Sequence, residues 1–335
     1  RGAVEVAVES ISKDIMEKFD IKQLPSNSLT PIRIVDFGCA AGPNTFIAVQ
    51  GMVDAVTNKF ETEGLDPKDI EFQVFFNDQV ANDFNTLFAT LPPDRKYYAA
   101  AVPSTFYKFL FPKGSLHFAH SSIAVNWFSE LPEEVLDEKS PAFNKGRIHY
   151  LGASKEVVEA FSAQFTRDME FFLDARAQEF VSGGLMALLV AGIPETAIAS
   201  QTSTSTEFEI LGSCLLDMAK MGLISEEKVD SFNLPLYYPT PSELKAVLEK
   251  NDDFVVEKIE ILKNPREHIT MPNVKARTLY LRSAFEKLMN QHFGEGVVDE
   301  LFKRYAEKVA ASPFFLNPAN QRSTVMYALL KRKDY

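Results

Sequence analysis

The chain has 335 residues, of which 46% are hydrophobic and 24% charged, so it can bury a sizeable core and is not an intrinsically disordered chain. Its formal net charge of −11 argues against nucleic acid or an anionic membrane as the main partner, and no apolar run approaches the roughly 20 residues that a membrane span needs. Two cysteines, Cys39 and Cys214, are too few for a disulfide framework and favour a reducing, cytoplasmic compartment.

Helical and strand-like segments alternate through the first 190 residues. The hydrophobic pattern predicts strands over 32–37, 72–78, 98–102, 116–120 and 185–191, and helices over 4–19, 44–60, 80–90 and 155–180. Ser182, Gly183 and Gly184 are expected to close the long fourth helix. Strands that alternate with helices indicate an α/β fold with a parallel, doubly wound sheet.

The order changes after Gly192. A Ser/Thr-rich loop over 201–206 leads into a helical block over 208–250, and β-like segments at 254–262 and 323–330 flank helices near 275–311. We therefore predict an α/β core over residues 1–195 and a helical cap insertion over residues 196–250. Residues 251–335 are expected to return to the sheet and to add cap helices at about 275–315.

The segment from Ile32 to Asn44 carries the most informative motif. An apolar run ends at Asp36, Gly38 and Gly42 follow four residues apart, and Pro43 opens an amphipathic run. Glycine permits backbone conformations that other residues resist and lets a ligand approach closely. Open α/β sheets bind their ligands at such strand ends. The spacing differs from the Gly-x-Gly-x-x-Gly of dinucleotide sites. A glycine turn preceded by an acid resembles the nucleoside-binding turn of S-adenosylmethionine-dependent methyltransferases, and a plain strand-to-helix turn fits the pattern equally well.

Asp78 ends the second predicted strand, beside that turn. A carboxylate at this position can accept hydrogen bonds from both ribose hydroxyls of a nucleoside. It follows the first motif by about 40 residues, more than the ~20 of dinucleotide folds, because the intervening helix and loop are longer. The alternative is that Asp78 caps the following helix.

An ordered series of motifs resembles the plant SABATH methyltransferases, and the resemblance covers essentially the whole chain. These enzymes methylate small acids such as salicylate, benzoate, farnesoate, indole-acetate and gibberellins, and in one branch the nitrogens of xanthines. The motifs are Asp36-Phe37-Gly38-Cys39-Ala40-Ala41-Gly42-Pro43-Asn44, Phe76-Asn77-Asp78, Val102-Pro103-Ser104-Thr105-Phe106-Tyr107, Leu116-His117-Phe118-Ala119-His120-Ser121-Ser122, Asn126-Trp127-Phe128-Ser129, Asn144-Lys145-Gly146 and Asp230-Ser231-Phe232-Asn233. The resemblance implies a Rossmann-like class I methyltransferase sheet with an α-helical cap, commonly in a homodimer.

The resemblance also implies a binding site for S-adenosylmethionine (SAM). Asp78 would hold the ribose, and the aromatic face of Phe106 would lie against the adenine, with core packing as its alternative. Gln79 stands where relatives usually have an aliphatic residue, and Thr105 where they usually have Ser. The cofactor-binding set is Asp36, Gly38, Cys39, Asn44, Asp78, Gln79, Thr105 and Phe106.

Trp127 matches the family tryptophan whose indole N–H donates to the substrate carboxylate. Indole only donates, so it can orient an acceptor oxygen; the alternative is a core position for this single tryptophan. Asn126 replaces the Met, His or Gln of relatives, and Ile123 replaces a tyrosine, which disfavours the xanthine branch. The resemblance places the substrate against Ile123, Asn126, Trp127, Phe208 and Tyr237. It further implies a Ser-Tyr segment and a glutamine that precede Arg1 and complete the site.

Asn144, Asp230, Phe232 and Asn233 match positions where some relatives bind magnesium. Amide, carboxylate and backbone carbonyl oxygens suit such a hard cation. Because the set contains a single carboxylate, it equally suits Asn and Asp side chains that hydrogen-bond to nearby backbone and tie a loop to the helical cap.

The resemblance implies transfer of a methyl group from SAM to the carboxylate of a small plant acid by in-line displacement. Such a carboxylate is already ionised at neutral pH, so no acid–base residue is required and none is assigned. The alternatives are methylation of a xanthine-type nitrogen and a catalytically silent SAM-binding protein. A nucleotide-dependent oxidoreductase is a third alternative, which the missing dinucleotide motif disfavours.

Overall fold

The computed structural model of the protein describes residues 2–21, 31–262, 274–317, 320 and 324–334. Within these residues the chain forms a seven-stranded sheet in the order β3-β2-β1-β4-β5-β7-β6. The strands are β1 (Ile32–Phe37), β2 (Phe72–Asp78), β3 (Tyr98–Pro103), β4 (Leu116–Ser122), β5 (Phe180–Gly192), β6 (Phe254–Ile261) and β7 (Thr324–Arg332). β1 to β5 pair in parallel, whereas β7 runs antiparallel between β5 and β6. The predicted doubly wound sheet is confirmed.

The helices pack against this sheet and against each other. They are α1 (Gly2–Lys18), α2 (Asn44–Thr62), α3 (Phe84–Ala89), α4 (Lys155–Glu179), α5 (Ser203–Lys220), α6 (Glu226–Asp230), α7 (Pro241–Leu248), α8 (Val274–Phe293), α9 (Val297–Ala310) and α10 (Pro313–Leu316). α1 contacts α2, and α9 contacts both α5 and α8. We call the group α5, α8 and α9 the cap.

Both faces of the central strand β1 are buried. Because successive side chains of a strand point to opposite faces, Ile34 joins a hydrophobic cluster with α1 and α2, whereas Val35 and Phe37 join a cluster with α4 and the cap. Burial on both faces explains why β1 reads as a nearly continuous apolar run.

The junction between α4 and β5 differs from the prediction. Ser182, Gly183 and Gly184 do not close the helix, because β5 already begins at Phe180, directly after α4 ends. The pairing of β4 with β5 shifts register between Leu116 and Phe118, and Gly183 has φ +74° there. A glycine that adopts positive φ permits such a bulge inside a strand, so these glycines mark the bulge rather than a helix end.

The beginning of the cap also differs from the prediction. Residues 201–206 were expected to form a loop, but α5 starts at Ser203 because the Thr202 hydroxyl caps it, accepting a hydrogen bond from the Ser205 N–H at 3.2 Å. The division of the chain at residues 195 and 250 stays a prediction. Over the described ranges, none of the helices combines the length and the apolar character that crossing a membrane requires.

The ends of the parallel strands meet at one edge of the sheet. Pairing places Asp36 of β1 beside His120 of β4, and Asp78 of β2 beside Pro103 of β3. This is the edge at which open α/β sheets bind ligands, and the candidate site lies there.

Candidate active site

The turn after β1 is held against the end of β2 by backbone hydrogen bonds. The N–H groups of Gly38 and Cys39 both donate to the Asn77 carbonyl, at 2.8 and 3.0 Å. Gly38 has φ +76° and Ala40 has φ +49°. Because Gly38 and Ala40 both have left-handed backbone conformations, the chain bends sharply at the strand end.

Asp78 locks this turn from the neighbouring strand. One carboxylate oxygen accepts from the Ala40 N–H at 2.8 Å and the other from the Gln79 N–H at 2.7 Å, and Asn82 donates to the Ala40 carbonyl at 3.0 Å. Burial raises the pKa of Asp78, an effect that the two N–H donors oppose. α3 is capped by Asp83, not by Asp78, so the alternative of a helix-capping role for Asp78 is wrong.

Asp36 lies beneath the turn and is buried. One carboxylate oxygen lies 2.7 Å from Nδ1 of His120, and the other accepts from the hydroxyl of Thr45 in the first turn of α2, just after Asn44. Its two oxygens therefore have protein partners that fix α2 and β4 relative to β1. Burial, reinforced by the charge of Asp36, raises the pKa of the Cys39 thiol, which argues against a nucleophilic cysteine.

Phe106 lies beside the same strand end, in an aromatic group with Phe37, Tyr107 and Phe172 at ring-centroid distances of 6.4, 4.7 and 5.8 Å. The preceding residue, Thr105, accepts from the Tyr107 N–H at 3.3 Å. The ring of Phe106 is partly exposed, so one side is packed and part of it stays accessible.

A buried ion pair holds the backbone that carries Phe106. Arg176 donates to the carbonyls of Phe106 and Lys108 at 2.6 and 2.9 Å and to Glu179 at 2.8 Å. Glu179 in turn accepts from the N–H groups of Leu110 and Phe111. We call Arg176 and Glu179 the clamp. The sequence does carry a signal for it, because both charges occupy the apolar stripe of α4.

The substrate-side cavity, of about 210 Å³, lies between the sheet edge and the cap. Of the predicted substrate residues, Ile123, Trp127 and Phe208 line it. Phe285 of α8 packs on both aromatic rings, at 5.7 Å from Trp127 and 5.9 Å from Phe208. Ile123 has φ +62°, a conformation that a β-branched residue rarely adopts, and such strain often marks a functional site.

The other two predicted substrate residues support the wall of the cavity and do not line it. The Asn126 amide donates to the carbonyls of Ala191 and Tyr237 at 2.8 and 2.7 Å and accepts from the Ala191 N–H. The Tyr237 ring lies between Tyr150 and Phe165, at 4.8 and 5.0 Å. A direct contact of Asn126 or Tyr237 with substrate stays a prediction.

The cofactor turn and the cavity adjoin. A Cβ atom built on Gly38 would lie 2.1 Å from the Cβ of Ala124, so only glycine fits here without movement. Ala124 belongs to the short helical turn that leads from Ile123 to Trp127. The hydroxyl of Tyr107 donates to the Trp127 carbonyl, which joins the Phe106 segment to the same turn. Two candidate sites therefore share one wall.

The predicted magnesium residues meet, but mainly through hydrogen bonds to one another and to nearby backbone. Asn144 donates to Oδ1 of Asn233 at 2.6 Å, and Asp230 accepts from the Gly146 N–H at 2.7 Å. The ring of Phe232 packs on His292 and Phe293. These bonds already use oxygens that a cation would need, so the set fits a tie between this loop and the end of α6 better than a metal site. In the part of the chain that the structure describes, no cluster of three or more His, Cys, Asp and Glu could hold a metal.

A sheet of this order, with a glycine turn after β1 and an acid at the end of β2, defines a class I SAM-dependent methyltransferase. Residues 2–333 match the family described as SAM dependent carboxyl methyltransferase. The chain therefore belongs to this family, the SABATH methyltransferases, and the resemblance drawn from the motifs is confirmed. It is a SAM-dependent carboxyl methyltransferase.

Relatives of known name agree with this assignment. Loganic acid O-methyltransferase of Catharanthus roseus is 42% identical over 335 residues, which cover 99% of this chain and 89% of the relative. Farnesoic acid carboxyl-O-methyltransferase of Arabidopsis thaliana is 41% identical over 92% of this chain and 87% of its own length. A solved structure of loganic acid methyltransferase with SAH has a TM-score of 0.94 at 42% identity, covering 99% of this chain and 94% of that one.

Proposed function

We propose that the protein methylates the carboxylate of a small acid that lies in the cavity against Trp127. The observation that carries this proposal is the contact between Gly38 and Ala124, because it makes the cofactor turn and the Trp127 segment parts of one wall. A bound acid and a bound methyl donor would therefore lie side by side.

The residues at the sheet edge suit SAM. The close approach of Gly38 to Ala124 holds the left-handed turn beside the strand end, and the half-buried Asp78 offers a carboxylate to the ribose hydroxyls. Phe106 offers its accessible face to the adenine. The other predicted residues have supporting positions. Gly38, Cys39 and Asn44 shape the turn and the start of α2. Gln79 and Thr105 are the chain neighbours of Asp78 and Phe106, and Asp36 supports the turn from below.

Catalysis by this site would rest on alignment. When bound, SAM supplies an activated methyl group for an in-line displacement. The acid is ionised at pH 7 without help, so no residue has to remove a proton. The Trp127 N–H would hold one carboxylate oxygen, and the apolar walls, such as Phe208 and Phe285, would exclude water. Orientation of this kind can supply roughly 7–11 kcal/mol of the barrier.

The test is a transfer assay with a radiolabelled methyl donor and full-length protein against a library of carboxylic acids, with caffeine precursors as nitrogen substrates. We expect methyl esters and no N-methyl products. Trp127→Phe keeps an aromatic ring but removes the indole N–H donor. It should abolish ester formation while the fold survives. Phe128→Tyr, one residue on but outside the cavity lining, is the control. Near-normal turnover by Trp127→Phe would remove the proposed role of the indole. Calorimetry that shows SAH binding, without transfer to any acid, would identify a silent SAM-binding protein instead.

We also propose a homodimer in the cytoplasm, as the family resemblance implies. Both cysteines are buried and free, which agrees with a reducing compartment. Light scattering during size-exclusion chromatography tests the dimer, and a fluorescent fusion tests the compartment. Magnesium at Asn144, Asp230, Phe232 and Asn233 stays a prediction, and it would require the bond between the two asparagine amides to break. Turnover that is unchanged after treatment with a chelator would contradict it.

A further inference from the structure

An ion pair lies in the wall of the substrate cavity. Arg277 of α8 donates through Nη1 to a carboxylate oxygen of Glu207 on α5, and both side chains are largely buried, at 7% and 13% exposed. The guanidinium also lies over the ring of Phe315 at 4.2 Å. Both Glu207 and Arg277 border the cavity, so the pair presents charge to whatever occupies it.

The pair is costly to bury and is surrounded by further polar groups. Thr204, Tyr238 and Thr324 line the same cavity. Burial, reinforced by the charge of Glu207, raises the pKa of Tyr305, and the Tyr305 hydroxyl has no hydrogen-bond partner among the described residues. Replacing a buried ion pair by apolar residues is often neutral or stabilising, so a cavity for a pure hydrocarbon chain gains nothing from this one.

We propose that Glu207 and Arg277 recognise a hydroxyl group on the substrate, away from its carboxylate, so that the enzyme selects hydroxylated acids over their deoxy analogues. The inference rests on the proposed function, because it assumes that an acid occupies this cavity. A hydroxyl is both donor and acceptor, so it can donate to the free lone pairs of Glu207 and accept from Arg277. A second carboxylate would face Glu207, and an ammonium group would face Arg277, so the neutral pair disfavours both.

Matched acids separate this role from a structural one. The pairs are decanoate with 10-hydroxydecanoate, geranate with 8-hydroxygeranate, and cyclohexanecarboxylate with its 4-hydroxy derivative. For at least one pair, kcat/KM should favour the hydroxylated acid roughly 10- to 100-fold, the value of a hydrogen bond to a charged group. Where neither acid of a pair is turned over, the ratio of the two binding constants, measured with SAH-loaded protein, replaces the ratio of the two kcat/KM values.

The decisive variant is Glu207→Leu/Arg277→Leu, which removes both charges together and leaves no lone buried charge. We expect its ratio of hydroxylated to deoxy acid to fall to about one or below. Arg147→Leu/Glu209→Leu is the matched control, because Arg147 and Glu209 also form an ion pair with α5 but do not line the cavity. Its ratio should equal that of the unmodified enzyme.

The outcomes are distinct. If the double variant loses activity equally toward both acids of a pair and keeps their ratio, the ion pair is structural and the inference is overturned. A ratio near one in the unmodified enzyme for all three pairs overturns it as well. If no acid in the library gives a methyl ester or binds, the proposed function fails first. That result is recognised without the variants.

Discussion

The two halves of the candidate site are built by different means. On the cofactor side, hydrogen bonds to backbone groups hold the turn after β1 against the end of β2. The Gly38 and Cys39 N–H groups donate to the Asn77 carbonyl, and the Asp78 carboxylate accepts from the Ala40 N–H. On the substrate side, the cavity is lined by residues of the turn after β4, of β5, β7, α5 and α8, and of the segment before α7, which lie far apart in the chain. The first half is fixed by local conformation and the second by how the cap packs.

This difference teaches where each half tolerates change. A backbone-built turn depends on a few residue types, because only glycine fits at Gly38 and only an acid accepts two N–H groups as Asp78 does. A cavity made of side chains can change its shape one residue at a time without disturbing the sheet. Away from the wall that they share, cofactor binding and substrate choice can therefore vary independently, and the following variants test that separation.

The largest effect is expected for the clamp, which supports the cofactor side from α4. Arg176→Met leaves Glu179, 1% exposed, as an unpaired buried carboxylate, and breaking such a pair costs roughly 3–5 kcal/mol. Denaturant unfolding should show this loss, and the affinity for SAH should fall because the Phe106 backbone is released. Arg176→Met/Glu179→Met should recover part of the stability, since no lone charge remains.

The exposed pair Lys155 and Glu159, on the same helix, is the control, and Lys155→Met should change stability little. Equal stability of Arg176→Met and the unmodified protein would show that the clamp contributes nothing to holding the Phe106 segment.

Asp78→Ala should separate the two halves most directly. The variant loses the two proposed hydrogen bonds from the ribose hydroxyls to the Asp78 carboxylate, which together contribute about 3 kcal/mol or more. SAH binding should therefore weaken at least about 100-fold, and ester formation should be lost. Calorimetry measures the affinity, and circular dichroism checks the fold. Asp83→Ala, five residues on, removes the cap of α3 and should leave SAH affinity unchanged. Unaltered affinity in Asp78→Ala would contradict ribose binding by this residue.

The contrast also explains what the sequence could predict. The sheet, the strand-end acids and the glycine turn lie in short runs, so pattern and motif identify them without knowledge of the packing. The bulge at Gly183 was not predictable, because it depends on the pairing of β5 with β4. Glu207 and Arg277 are 70 residues apart on two helices, and their helical positions do not reveal that they meet.

The same argument applies to the substrate residues. Asn126 and Trp127 are neighbours in one motif, yet Trp127 lines the cavity and the Asn126 amide bonds to backbone behind it. Motif likeness identifies the segment but not the direction of each side chain, since that is set by the backbone turn at Ile123.

A smaller effect is expected where the two halves touch. Gly38→Ala places a side chain in a left-handed residue, which costs about 1–2 kcal/mol, and forces its Cβ against Ala124. The Trp127 segment should shift, so KM for the acid as well as for SAM should rise. In Gly38→Ala/Ala124→Gly the steric contact is removed, so acid KM should recover while the conformational cost stays. If the second change restores nothing, the shared wall does not couple the two halves.

The smallest effect is the pH dependence of cofactor binding, which should belong to one half alone. Burial raises the pKa of Asp78, so its charged form is lost at a higher pH than for an ordinary aspartate as the solution is acidified. SAH affinity should therefore be constant near neutrality and fall as the pH is lowered through that raised pKa, because a protonated carboxyl no longer accepts from both ribose hydroxyls. Measuring SAH binding without an acid substrate excludes titration of the substrate itself. Asp78→Asn has no carboxyl to titrate, so its weaker affinity should not change over the same range. A parallel decline in the unmodified protein and in Asp78→Asn would assign the pH effect to a group other than Asp78.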